Sequence, residues 1–129
     1  MIYMTEKKNT CPIMITLEMI SGKWKLNIIK VLLTHETLRF GEMQRALPQV
    51  SRKVLTQQLR ELEQDGIIRR TDFYENPPHV EYSLTKLGIS MVTIFKAIRQ
   101  WGMYHLLNDT TNEVECLECN ECKTKLYGC

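Results

Sequence analysis

The sequence predicts a mainly α-helical fold with one small β-hairpin, and three observations predict it. Apolar residues recur every three or four positions through most of the first 107 residues. That period gives way once, over residues 67–84, to β-branched and aromatic residues that alternate on either side of a proline-rich turn. The chain has 129 residues, 43% hydrophobic and 25% charged, which suits one globular domain with short trimmings rather than a disordered or collagen-like chain.

Taken in order, the elements are these. Pro12 suits the first position of a helix, where its missing N–H costs nothing. Ile13, Leu17 and Ile20 follow at helical spacing, and Ser21-Gly22 ends the run. A second helix reads from Lys23, with Trp24, Ile28, Val31 and Leu32 on one face, and stops near Thr34-His35-Glu36. Leu38-Arg39-Phe40 is a short extended piece, and Gly41 to Leu47 is a third helix closed by Pro48. Ser51 is a good N-cap for a fourth helix that runs to about Asp65 and ends at Gly66. Its apolar stripe is Val54, Leu55, Leu59 and Leu62.

Ile67 to Tyr74 reads as a strand, residues 75–79 as a turn, and Val80, Tyr82 and Leu84 as the alternating return strand. Thr85 then caps a long last helix, about 86–107, with Leu87, Met91, Ile94, Ile98, Trp101 and His105 or Leu106 at spacings of three or four. Trp24 and Trp101 are expected in the core. From Asn108 onward the period is lost and acidic residues dominate. The expected organisation is an N-terminal arm (1–10), one domain (11–107) and an acidic, cysteine-rich tail (108–129).

This order is that of a winged helix-turn-helix. Helices three and four form the pair across Pro48-Gln49-Val50, the hairpin is the wing, and the second helix of such a pair enters the DNA major groove. The last helix carries a stripe too wide for a chain of this size to cover, which points to a two-fold dimer seam with helix one contributing. A symmetric protein matches a pseudo-palindromic operator in double-stranded DNA.

Charge supports the same partner. The net charge is only +2, yet residues 21–60 carry eight basic groups (Lys23, Lys25, Lys30, Arg39, Arg45, Arg52, Lys53, Arg60) against Glu36 and Glu42. A basic stretch in a nearly neutral chain suits a polyanion, although a solvated helix face has the same composition. On the fourth helix, Arg52, Thr56 and Arg60 are separated by four, and Lys53 and Gln57 add a neighbouring row. Arg can bridge guanine O6 and N7, Gln can bridge adenine N6 and N7, and Lys53 suits a phosphate. The wing tip offers Asn76 and His79, the latter charged only when protonated, while Arg69 and Arg70 at the wing base are alternative phosphate contacts.

Several runs carry a family resemblance: Cys11-Pro12, Gly22-Lys23-Trp24, Arg39-Phe40-Gly41-Glu42-Met43, the stretch from Ser51 to Glu63, Asp65-Gly66-Ile67, Pro77-Pro78, Val80-Glu81-Tyr82-Ser83-Leu84-Thr85, Gly88 and Trp101. Over roughly 11–102 the chain resembles the HxlR-type branch of the MarR-like winged-helix regulators. The resemblance implies a homodimeric, sequence-specific DNA-binding transcriptional regulator. Members of the family often carry a lysine or arginine where this wing tip has Asn76 and His79.

The polar N-terminal stretch is not expected to act as an export signal, so five cysteines argue against a disulfide framework and for reactive or metal-binding thiols. Cys11 precedes a helix's first turn, where orphan N–H groups favour thiolate, and Lys7 and Lys8 push the same way. The resemblance implies that a cysteine at this position senses oxidants or electrophiles; the bland alternative is an inert buried thiol. Cys116, Cys119, Cys122 and Cys129 could hold zinc, or iron, through their thiolates. A redox or metal-binding protein using that tail is therefore the alternative function, and a resolving thiol for Cys11 or a functionless end are further readings of the same residues. No catalytic motif is present: His35, His79 and His105 are isolated, so an enzyme is not expected. With no apolar run near the ~18 residues that cross a bilayer, the chain is expected in the cytoplasm and not in a membrane.

Overall fold

The structure, a computed structural model, describes residues 11–106. Six helices and three strands follow one another as α1 (Pro12–Ile20), α2 (Lys25–Thr34), β1 (Leu38–Arg39), α3 (Phe40–Ala46), α4 (Arg52–Gln64), β2 (Ile68–Asp72), β3 (Val80–Leu84), α5 (Lys86–Ser90) and α6 (Val92–Leu106). They fall into two compact units, which divide after Gly88.

In the first unit a three-stranded antiparallel sheet runs in the order β1-β3-β2. Leu38 pairs with Tyr82 and Arg39 with Glu81, so the short extended piece seen in the sequence becomes the third strand of the wing's sheet. In the hairpin, Ile68 pairs with Leu84, Arg69 with Ser83 and Arg70 with Tyr82. The core is aliphatic: Ile28, Ile29, Met43, Leu55, Leu62 and Ile67 are fully enclosed, and among the described residues no polar side chain is buried. α2 packs on β3, α3 and α4, and α4 packs on β2, so the sheet and helix pair share one apolar interior.

Gly66 closes α4 as expected. Its φ of +78° suits a residue without Cβ, and it lets Ile67 N–H reach the Leu62 carbonyl (3.0 Å) while Gly66 N–H reaches Glu63 (3.0 Å). Thr85 caps α5 and ties the hairpin to this turn: its hydroxyl accepts from Gly88 N–H (3.1 Å) and donates to the Gly66 carbonyl (2.5 Å). Gly88 has to be small, because a Cβ there would overlap the Ile67 carbonyl.

Four expectations need correction. α2 starts at Lys25, because a turn with Gly22 at φ +107° occupies the preceding residues. The last helix is broken at Met91 into α5 and α6, where Gly88, Ile89 and Ser90 are weak helix formers in succession. In α1 the inward residues are Ile15 and Met19, while Ile13 and Leu17 of the expected stripe are exposed; Val54 of α4 also faces outward. Trp101 is 58% exposed rather than core, and Trp24 is half-buried.

The second unit is described by itself. Met91 and Phe95 are buried, whereas Ile98, Trp101, Tyr104 and Leu106 are exposed along α6. The Trp101 and His105 rings stack at 4.8 Å, with Tyr104 edge-on to His105 at 4.9 Å.

Candidate nucleic-acid interface

The site is built on the α3–α4 pair. The turn between them is closed by Leu47 N–H on the Met43 carbonyl (3.0 Å) and Val50 N–H on Leu47 (3.2 Å). Val50 is buried and anchors the turn, while Pro48 and Gln49 face solvent. Ser51 then caps α4, its hydroxyl accepting the Val54 N–H at 3.2 Å. Leu55, Leu59 and Leu62 face the core, which fixes the opposite face outward.

On that outward face Arg52, Lys53, Gln57 and Arg60 are exposed. Thr56 is half-buried, and its hydroxyl donates to its own helix at the Arg52 carbonyl (2.8 Å). The Arg52 guanidinium lies 5.1 Å from the Phe40 ring centroid, a cation–π contact that holds it at the junction of the two helices. Among the described residues, Lys53, Gln57 and Arg60 have no hydrogen bond or ion pair from their side chains. A row of donors, packed from behind and unspent in front, is what a groove of base edges and phosphates requires.

The helix is also held from the side. Lys25, 12% exposed, pairs with Glu61 at 3.1 Å, and Gln58 donates to the same carboxylate at 3.2 Å. Lys25 belonged to the basic stretch in the sequence; here it positions α4 instead of offering free charge. No local signal links two residues so far apart in the chain.

The wing places its predicted residues differently from one another. Asn76 is exposed at the tip. His79 is half-buried among charged neighbours: Nδ1 lies 3.3 Å from Glu75 and 3.3 Å from Arg39, Nε2 lies 3.0 Å from Glu81, and Phe73 packs on the ring at 4.6 Å. The projecting tip side chain is Tyr74, 90% exposed, with φ +53° and its N–H held by Asp72 at 2.8 Å. At the wing base, alternation sends Arg69 and Arg70 to opposite faces of the sheet. Between α4 and the strands lies a cleft of about 360 Å³ lined by Thr56, Leu59, Arg60, Glu63, Arg70 and Tyr82.

Cys11 is exposed at the N-cap of α1, with Ile15 N–H on its carbonyl (3.0 Å) and no capping bond from its side chain. Cys116, Cys119, Cys122 and Cys129 lie outside the described residues.

The HxlR-like helix-turn-helix family model matches residues 19–110. The chain belongs to that family. The uncharacterized HTH-type transcriptional regulator YtcD of Bacillus subtilis is 44% identical over 103 residues, covering 80% of this chain and 81% of the relative. Among solved structures, the redox regulator HypR in its oxidized form is 40% identical with a TM-score of 0.64, covering 73% of this chain and 96% of that one. The reduced form of the transcriptional regulator YodB from B. subtilis is 30% identical with a TM-score of 0.70, covering 78% and 99%. The helices and three-stranded sheet of the described residues form a winged helix-turn-helix, with α3 and α4 as the helix pair. Among the described residues no helix is long and apolar enough to cross a membrane.

Proposed function

We propose that this HxlR-like helix-turn-helix transcriptional regulator binds a pseudo-palindromic operator in double-stranded DNA as a homodimer, and that oxidants or electrophiles alter binding through Cys11. The observation that carries the reading is the outward face of α4. Arg52, Lys53, Gln57 and Arg60 are exposed there on a helix whose other face is locked into the core. Arg52 and Gln57 supply base-edge donors, while Lys53 and Arg60 suit the phosphates beside them. Ser51 contributes by capping the helix, and Thr56 lies in the same row with its hydroxyl bonded inward. Arg69 and Asn76 extend the interface along the wing, where His79 acts through its contacts with Glu75, Glu81 and Arg39.

Residues 11–107 carry this function in the proposal, with 1–10 as an arm and 108–129 as a tail. The dimer seam is assigned to α6, where Ile98, Trp101, Tyr104 and Leu106 are exposed, with α1 contributing. Apolar side chains in that number are stabilised by a second copy. A pair places two α4 helices one helical turn of DNA apart, or a multiple of it. Cys11 stands at the start of α1, so oxidation or alkylation of its sulfur adds bulk and polarity beside the seam and changes the separation of the two helices. HypR, named a redox regulator, supports this reading of the thiol.

The test is selection of bound duplexes from a random pool, run with and without oxidant. A pseudo-palindrome recovered from the reduced protein alone is the expected result. Recovery of the same sequence under both conditions removes the sensing half, and recovery of no sequence removes the whole reading.

A further inference from the structure

We propose that the cleft between α4 and the wing seats one backbone phosphate of bound DNA, held by Arg60, Arg70 and Tyr82. This rests on the DNA reading of α4 and adds to it a contact that carries no sequence information. The first argument is topological. A helix in the major groove and a hairpin over the neighbouring minor groove straddle a single sugar–phosphate strand, because that strand is what separates the two grooves. It must therefore cross the surface joining α4 to the hairpin, which is where the cleft lies.

The second argument is chemical. Arg60 reaches the cleft from α4 and has no ion pair among the described residues. Arg70 reaches it from β2, directly opposite Tyr82 on β3. The Arg70 ion pair with Asp72 is long, 3.7 Å, and the Arg70 side chain is 42% exposed, so part of its fork is open to another oxyanion. Two planar guanidinium groups and a phenol hydroxyl match the oxygens of a phosphodiester, and Leu59 beneath them is buried, which keeps the floor dry. Strand alternation makes the choice between the neighbouring arginines: Arg70 shares the cleft with α4, whereas Arg69 pairs with Ser83 on the other face.

Glu63 lines the same cleft and opposes an anion. The phosphate therefore lies on the Arg60–Arg70–Tyr82 side, and Glu63 limits how tightly any duplex is held.

The full chain is titrated by anisotropy with the selected duplex and with a scrambled one, over a salt series. Arg70→Gln weakens both duplexes by the same factor, about tenfold, and lowers the slope of log K against log salt by about one. Tyr82→Phe weakens both by about threefold, and Glu63→Gln tightens both. A single methylphosphonate linkage per half-site costs the parent what Arg70→Gln costs, and the two changes together cost no more. If Arg70→Gln and Tyr82→Phe bind like the parent, or lose discrimination at one base pair only, the phosphate seat is wrong while the α4 reading stands. If inorganic phosphate, exchanged for chloride at equal ionic strength, saturably displaces DNA from the parent but not from Arg70→Gln, the cleft belongs to a free anion and the backbone assignment fails. A parent protein indifferent to every duplex overturns the underlying reading itself.

Discussion

α1 and α4 are both helices of the first unit, yet they present opposite chemistry to the outside. α4 buries three leucines and exposes arginine, lysine and glutamine. α1 buries Ile15 and Met19 and exposes Ile13 (70%) and Leu17 (49%). Water solvates the first surface readily and the second poorly, so the two faces ask for different partners. A polyanion satisfies α4; another apolar surface satisfies α1. Covering a large aliphatic side chain is worth ~1.5–3 kcal/mol, which the single chain leaves unrealised on α1.

The largest expected effect breaks the comparison from the inside. Leu59→Ala removes a buried side chain of α4 and should cost ~2–5 kcal/mol of unfolding free energy in denaturant titrations, at every protein concentration. Leu17→Ala, on the outward face of α1, should instead weaken the dependence of Tm on protein concentration and leave dilute protein nearly unchanged. A parent Tm that does not move with concentration would show that α1 has no partner in solution.

The next effect lies on the outward face of α4. Arg52→Ala and Gln57→Ala should each lose ~1–3 kcal/mol of operator binding and relax specificity at one position of each half-site. Leu17→Glu should weaken all duplexes alike, by disrupting the pair instead of a base contact. Loss of the same base preference in both kinds of variant would contradict the division of labour between the helices. Smaller still is Ser51→Ala. The lost cap on Val54 N–H should cost ~1 kcal/mol of stability, with binding reduced in proportion to fraying of the first turn, where Arg52 and Lys53 sit.

How far the sequence could be read differs between these helices for a physical reason. α4 has one apolar stripe and one polar face, so period alone orients it. α1 is apolar nearly all round: Ile13, Leu17 and Ile20 form one stripe, Ile15 and Met19 another, and spacing does not say which faces inward. The third strand, the Lys25–Glu61 pair and the Arg70–Tyr82 cleft join residues distant in the chain, and only strand register and packing bring them together. The contacts of His79 were within reach, since Glu75 and Glu81 flank it locally and Phe73 lies across the turn. Trp101 was misplaced because helical spacing marks an apolar stripe without telling whether the same chain covers it.

The smallest effect has the opposite sign and concerns the start of α1. α4 begins with a serine whose hydroxyl bonds a backbone N–H, and α1 begins with a cysteine whose side chain makes no such bond. Sulfur is a weak acceptor, whereas serine is among the preferred N-caps. Cys11→Ser should therefore raise stability by about 0.5 kcal/mol in thermal melts, because an orphan N–H of the first turn gains a partner. In the same variant, operator binding should no longer respond to oxidants or quinones, since the atom that would be modified is gone. A Cys11→Ser protein that is less stable than the parent, and still releases DNA under oxidant, would place the sensing elsewhere in the chain and make the thiol a packing residue.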